Sequence, residues 1–195
     1  MPAENTSFPT LFRTWIPAAN QSYNCTIIQA VRATNALPAF FKDIEFGEPI
    51  KQRYTYGTLG CNNPVKYVIG EARSMYPNRS ISCVVSLGTG AENVIGLDRP
   101  DAFQRLLPTN LIGVLKCIAT DCEKTSEETA RELAAQSILY CRLNVDQGLQ
   151  DVSLAEWEKL EAVQLHTVQY LQKYVVDGHI TQIVQALSGM FLVFT

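Results

Sequence analysis

The stretch "YTYGTLGCNNPVKYVIGEA", Tyr54 to Ala72, decides how this chain is read. It sets Gly57 and Gly60 close together, follows them with Asn62, Asn63 and Pro64, and then enters a run with helical spacing. Glycine permits the backbone angles of a tight turn. Asparagine side chains bond the local backbone. Proline suits a first helical position, where its missing N–H removes no bond. Asn63 therefore reads as a helix cap, and Val65, Val68, Ile69, Ala72 and Tyr76 as the apolar stripe of the helix it starts. A turn this constrained is built to hold a side chain in place, and the residue at its head is Tyr56.

Working outward, "ISCVVSL", Ile81 to Leu87, is continuously β-prone, as a strand buried on both faces of a parallel sheet would be. It runs into Gly88-Thr89-Gly90. Upstream, "TLFRTWI" reads as a strand, Thr10 to Ile16. In "NCTIIQAVRATNALP", Thr26 and Gln29 have capping-box spacing, Ile27, Ala30, Val31 and Thr34 share a face, and Pro38 closes the helix. "AFFKDIEFGEPIKQRYTYG" supplies one or two strands leading into the turn.

Downstream of the glycines, Ala91 to Asn110 has weak periodicity and reads as a long surface loop. Thr125 and Glu128 have capping-box spacing before Ala130, Leu133, Ala134, Ser137 and Ile138. "ILYCRLN" reads as a further strand. Ser153 and Glu156 repeat the capping signal before a long helix carrying Leu160, Val163, Thr167, Leu171 and Tyr174. Asp177-Gly178 breaks it, and a last short helix bears Ile180, Ile183, Val184 and Leu187. Alternating strands and helices make the fold class α/β.

The bulk composition removes several classes. The chain has 195 residues, 47% apolar and 18% charged, with a net charge of −3. That is a globular composition and not a disordered one. No block of Lys or Arg marks a nucleic-acid partner. The first residues lack the basic start and apolar stretch of a signal peptide, and no run is long enough to span a bilayer. Six cysteines are scattered without a C-x-x-C pair, and neither His166 nor His179 lies near one. Free thiols and no metal or cofactor are the expectation, in a cytoplasmic protein peripheral to membranes.

The turn and the strand together resemble a known family. "YGTLGCNNPV", followed after a helix by "VVSLGTG", resembles the patatin-like phospholipases, where the first segment reads D-G-[GA]-x-G-x-N-N-P and a strand ends S-[IL]-G-T-G. "CTIIQAVRATNALPAFF" is similar to the family's stretch before the turn. "YCRLNVDQGLQDVSLAEWEKL" resembles its fungal branch. The resemblance runs from about Leu11 to Tyr170 and corresponds to the C-terminal half of a patatin-like domain. It implies a partial three-layer α/β/α sandwich with a mainly parallel sheet and a helix-rich C-terminal part. It also implies one domain over 1–195, with about 11–143 as its α/β core portion and about 153–190 as C-terminal helices.

The chemistry the resemblance implies is hydrolysis of lipid acyl esters by a Ser–Asp dyad. A G-x-S-x-G elbow presents the serine, a glycine-rich loop holds the oxyanion, and the aspartate of the D-G-[GA] motif takes the base role. Each part fails here. No two glycines are four apart, so no G-x-S-x-G exists in this sequence, and no Gly-Gly pair marks an oxyanion loop. An N-terminal truncation would produce both absences. The aspartate position is Tyr56. A carboxylate is ionised at neutral pH and accepts a proton, whereas a phenol is a neutral donor there.

Gly57, Gly60, Asn62, Asn63 and Pro64 are then a motif scaffold around a position that Tyr56 fills as a packed aromatic. Ser86 has Val84 where an elbow would need glycine and reads as a strand-end residue. Asp43, Glu45 and Glu48 lie on the strand-like approach and not in the turn. Cys61 sits at a position the family varies, His166 and His179 are helix-surface or boundary residues, and Trp15 and Trp157 are packing residues.

The function this supports is that of a patatin-like phospholipase-family protein, a lipid acyl hydrolase by ancestry and catalytically deficient as this chain. Two alternatives stay open: a fragment of an active hydrolase whose N-terminal half is missing, or a non-catalytic module binding lipid or a partner. The partners implied are a lipid or membrane surface, a second copy, or an intact homologue.

Overall fold

A computed structural model describes residues 2, 9–15, 24–37, 40–57, 61–91, 122–150, 152 and 156–189. The chain divides into two compact units, one formed by Met1–Asn63 with Leu97–Cys122 and the other by Pro64–Gly96 with Glu123–Thr195.

In the first unit, helix α1 spans Ile27–Thr34 and begins with the capping box read from the sequence. The Thr26 hydroxyl accepts the Gln29 N–H at 3.2 Å, and the Gln29 side-chain Oε1 accepts the Thr26 N–H at 2.8 Å. These reciprocal bonds satisfy two donors that a helix start leaves open. The buried side of α1 is not the one the spacing picks out. Ala33 is buried, while Ile27, at 79% exposure, and Val31 lie open. The small alanine lets the helix approach its neighbours closely, and a stripe count weighted by hydrophobicity misses that.

Strands β1, Ile44–Phe46, and β2, Gln52–Tyr54, pair antiparallel with Ile44 opposite Tyr54. Gly47, at φ 121°, begins their connection. Phe46 and Tyr54 stack at 4.5 Å between ring centroids, and Phe12 meets both at 5.6 and 5.3 Å. Ala33, Cys25 and Ile44 complete this core. The expected strand at Thr10–Ile16 does not form: residues 10–15 are irregular, and Ile16 lies outside the described residues. Phe12 still packs inward, so the apolar signal there came from a core side chain and not from a strand.

The second unit is built on a parallel pair. Strand β3, Cys83–Leu87, runs beside β4, Leu139–Leu143, with Val84 opposite Tyr140 and Ser86 opposite Arg142. Helices α2, Val65–Met75, and α3, Cys122–Ala134, bury Val65, Ile69 and Leu133 against Val84, Tyr140, Ile81 and Ile138. Ion pairs close the rim of this contact: Lys66 with Glu128 at 2.5 Å, and Arg73 with Glu132 at 3.8 Å. Strand alternation turns Cys83, Val85 and Cys141 to the other face. Burial pushes the Cys83 and Cys141 thiols above their ordinary range. A 3-10 turn at Trp157–Lys159 leads into α4, Leu160–Leu171, and then α5, Tyr174–Ser188, which packs along both strands. This is a mixed α/β arrangement with a small parallel sheet, consistent with a partial α/β/α sandwich.

Several boundaries differ from the sequence reading. Thr125 and Glu128 lie inside α3 and do not cap it. The Thr125 carbonyl accepts the Thr129 hydroxyl at 2.7 Å, and Glu128 serves Lys66. Asp177-Gly178 does not break the last helix, which runs through it. Asp177 falls in the first turn, where a carboxylate complements the helix dipole. The break comes earlier, at Lys173, whose ψ of 132° is extended. Ser153 lies outside the described residues, as does most of the loop read at Ala91–Asn110. β3 is half-buried and not doubly buried, with Val85 and Leu87 open to solvent. On α4, Leu160 and Leu171 are exposed, and no residue of that helix is buried. Trp157 is 73% exposed, and Trp15 is also exposed, so neither is a core packing residue.

Candidate functional site

The turn is described in two pieces. Tyr56 follows β2, is half-buried, and donates its N–H to the Ala36 carbonyl at 3.1 Å. That bond fixes the head of the turn to the segment leaving α1. Gly57 lies in the turn, and Gly60 falls outside the described residues. Asn63 is buried, and its side-chain amide donates to the Cys122 carbonyl at 3.4 Å. The residue in cap position is Pro64, with no side-chain cap bond. Asn63 therefore holds chain to chain and does not act as the helix cap that its spacing suggested. Cys61 is half-buried, and Asn62 is exposed.

Among the described residues, the carboxylates that precede the turn in sequence are engaged elsewhere or open to solvent. Asp43 pairs with Arg53 at 3.9 Å across the strand pair, and Glu45 and Glu48 are exposed.

A polar cluster lies at the C-terminal end of the parallel pair, the end where open α/β sheets bind ligands. The Arg142 side chain is only 10% exposed. Its Nε donates to the Glu123 carboxylate at 3.0 Å, and its Nη1 donates to Ser86 Oγ at 3.0 Å. Asn144 donates its side-chain amide to the same Glu123 oxygen at 2.9 Å and accepts the Gly90 N–H at 2.8 Å. Its backbone N–H donates to the Tyr170 hydroxyl at 3.2 Å. The Gly88 N–H reaches the Leu143 carbonyl at 2.8 Å, and the Ala91 N–H reaches that of Val145 at 2.7 Å.

This cluster explains the glycines of "SLGTG". A Cβ at Gly88 would run into the Asn144 side chain. Gly90 sits at φ 118°, which other residues rarely adopt. Among the described residues Ser86 is bonded to a guanidinium, and it lies near the end of β3, as the sequence reading had it. A buried arginine needs a paired carboxylate to offset its desolvation, and Glu123 supplies it. The sequence reading missed Arg142, Asn144 and Tyr170. The signal was the pairing of "VVSL" with "YCRLN": once the strands run parallel in register, Ser86 and Arg142 fall side by side.

His166 lies on α4 against Gly148, where a side chain on the glycine would strike the imidazole ring. His179 is within α5 and not after a helix break. Among the described residues no three His, Cys, Asp or Glu side chains gather to hold a metal, and no helix is long and apolar enough to cross a membrane. Cys25, Cys61, Cys83, Cys122 and Cys141 are free thiols.

No protein-family model matches the chain, and no solved structure matches it. Curated relatives do. The chain is 32% identical over 148 residues to calcium-independent phospholipase A2-gamma of Rattus norvegicus, a match covering 74% of this chain and 18% of that protein. The Homo sapiens protein of the same name is 30% identical over the same share of each. Phospholipase A I of Arabidopsis thaliana is 35% identical over 63 residues, 32% of this chain and 5% of that one. The chain thus spans less than a fifth of the phospholipases A2-gamma it matches. The ordered motifs and these relatives together support a patatin-like phospholipase ancestry for the chain.

Proposed function

We propose that this chain is a C-terminal patatin-like segment, of the fungal type, that does not itself hydrolyse lipid acyl esters. The observation that carries this reading is Tyr56 at the head of an otherwise intact turn. The turn keeps its glycine, its paired asparagines and its proline, and its backbone is anchored to Ala36. What it lacks is the group that takes a proton. The carboxylates nearest in sequence are paired across the hairpin or exposed. Ser86, the serine nearest a glycine motif, is bonded to Arg142. The test is turnover of a chromogenic ester by the isolated chain, together with labelling by a fluorophosphonate probe. The reading expects neither. Labelling at any serine, with turnover lost when that serine becomes alanine, overturns it.

A second reading concerns what the chain binds. Trp157, Leu160, Leu165 and Tyr174 are exposed at and around α4, with Tyr174 at 92%. Exposed large apolar side chains favour association, and aromatic and leucine side chains suit a bilayer interface. The chain then serves as a lipid-surface module peripheral to membranes. Flotation with phosphatidylcholine vesicles checks this: the chain should rise with the vesicles, and Trp157→Ser with Tyr174→Ser should leave it at the bottom. A parent chain that stays at the bottom counts against the reading, with self-association or a homologous partner the remaining use of the patch.

A further inference from the structure

The strand pair has a second polar end. At the N-terminal end of β3 and β4, opposite the Arg142 cluster, a cleft of about 470 Å³ opens between the exit of α2 and the turn after α3. That volume is within the range of small-ligand sites. Its apolar contribution comes from the half-buried Ile81 and Ile138. Its donors are the guanidinium groups of Arg73 and Arg79 and the hydroxyls of Ser80, Ser82 and Ser137.

The two arginines are differently engaged. Arg73 donates to the Gln136 amide oxygen at 2.6 Å and lies 3.8 Å from Glu132. Arg79 stacks on the Tyr76 ring at 5.5 Å, and among the described residues it meets no carboxylate. The three serine hydroxyls likewise have no bonding partner among the described residues. Ser137 is held at φ 57° in the turn that ends α3, an uncommon conformation for a residue with a side chain. Among the described residues no acidic side chain lines the cleft.

Two helix ends point their carbonyls toward this region, which favours cations there and opposes anions. Each amounts to about half a charge and fades within the last turn. Arg73, in the last turn of α2, offsets its own helix. Arg79 remains as a full charge with a planar fork, the geometry that matches phosphate oxygens.

We propose that this cleft is a binding site for a phosphate ester, with Arg79 as the principal contact, Arg73 as the second cation, and the serine hydroxyls completing the oxygen shell. Ile81 and Ile138 would take the carbon portion of the ligand. The site lies apart from the Tyr56 turn and from the Arg142 cluster, and it does not depend on whether the chain hydrolyses esters.

The test titrates the whole chain with glycerol 3-phosphate by calorimetry and, separately, measures co-sedimentation with phosphatidylcholine vesicles with and without phosphatidic acid. Arg79→Gln and Arg73→Gln/Arg79→Gln accompany the parent, and circular dichroism checks that each is folded. Both arginines are exposed, so these variants keep the core. Saturable binding of glycerol 3-phosphate, weakened about tenfold or more by Arg79→Gln as expected for loss of a charge-assisted contact, supports a soluble phosphate ester. Sedimentation that requires phosphatidic acid and is lost in the double variant supports a lipid headgroup as the source. Absence of saturable binding in both arms, or binding that folded variants leave unchanged, overturns the proposal.

Discussion

Tyr56 and Gly88 show how single residues carry the account. On the proposed reading Tyr56 stands where the family carries an aspartate, in a turn whose flanking residues still match the motif. The substitution was legible in the sequence because the flanking Gly57, Asn62, Asn63 and Pro64 fix which position it occupies. The role of Gly88 was not. As sequence it is one of two glycines closing a motif. In the fold it is the point where β3 passes the Asn144 side chain, and Asn144 is itself held by Glu123 and Tyr170. Gly88→Ala therefore meets a side chain that is tied in place. Overpacking of this kind costs about 1–3 kcal/mol. Urea unfolding should show a loss of that size, and an unchanged midpoint would mean that Asn144 moves freely aside.

At the scale of elements, legibility followed the kind of signal. The existence of β3 and β4 was legible from their β-prone composition, though not the burial of β3, and the start of α1 was legible because its capping box is a local bond pattern, though not its buried face. The same spacing misled at Thr125 and Glu128, since a helix already under way hides its interior residues behind the signature of a start. Asp177-Gly178 misled in the opposite direction. The break falls at Lys173, whose ammonium grips the Asp146 carboxylate, distant in sequence, at 2.6 and 2.7 Å. That bond holds the Asp146 carboxyl below its ordinary value. A carboxyl lowered on folding contributes stability above its unfolded pKa, about 3.9, and loses that contribution as pH falls through the lower folded value. Asp146→Asn should lower stability at neutral pH by an amount typical of exposed pairs, about 0.2–1 kcal/mol, and the gap from the parent should close below about pH 4. Denaturation midpoints at neutral and acid pH measure this, and a gap that persists in acid would place the contribution elsewhere.

For the molecule as a whole, the sequence showed the fold class through the order of its motifs, and the α/β arrangement bears it out. It did not show that the chain separates into two compact units, because the partition is set by which side chains pack together. Phe12, Phe46 and Tyr54 form one core, and Val65, Ile69 and Leu133 form the other. The first boundary falls between Asn63 and Pro64, inside the turn that decided the reading. The relatives support phospholipase ancestry over most of the chain, while the residues of the turn argue that the ancestral reaction is not carried out by this chain. The most direct test is release of fatty acid from phospholipid vesicles by the purified chain and by Tyr56→Asp. With no elbow serine in the sequence, restoring the carboxylate has no nucleophile to serve, so the account predicts no release above buffer from either protein. Release by the parent chain, sustained through purification and abolished by a serine-directed inhibitor, would contradict it.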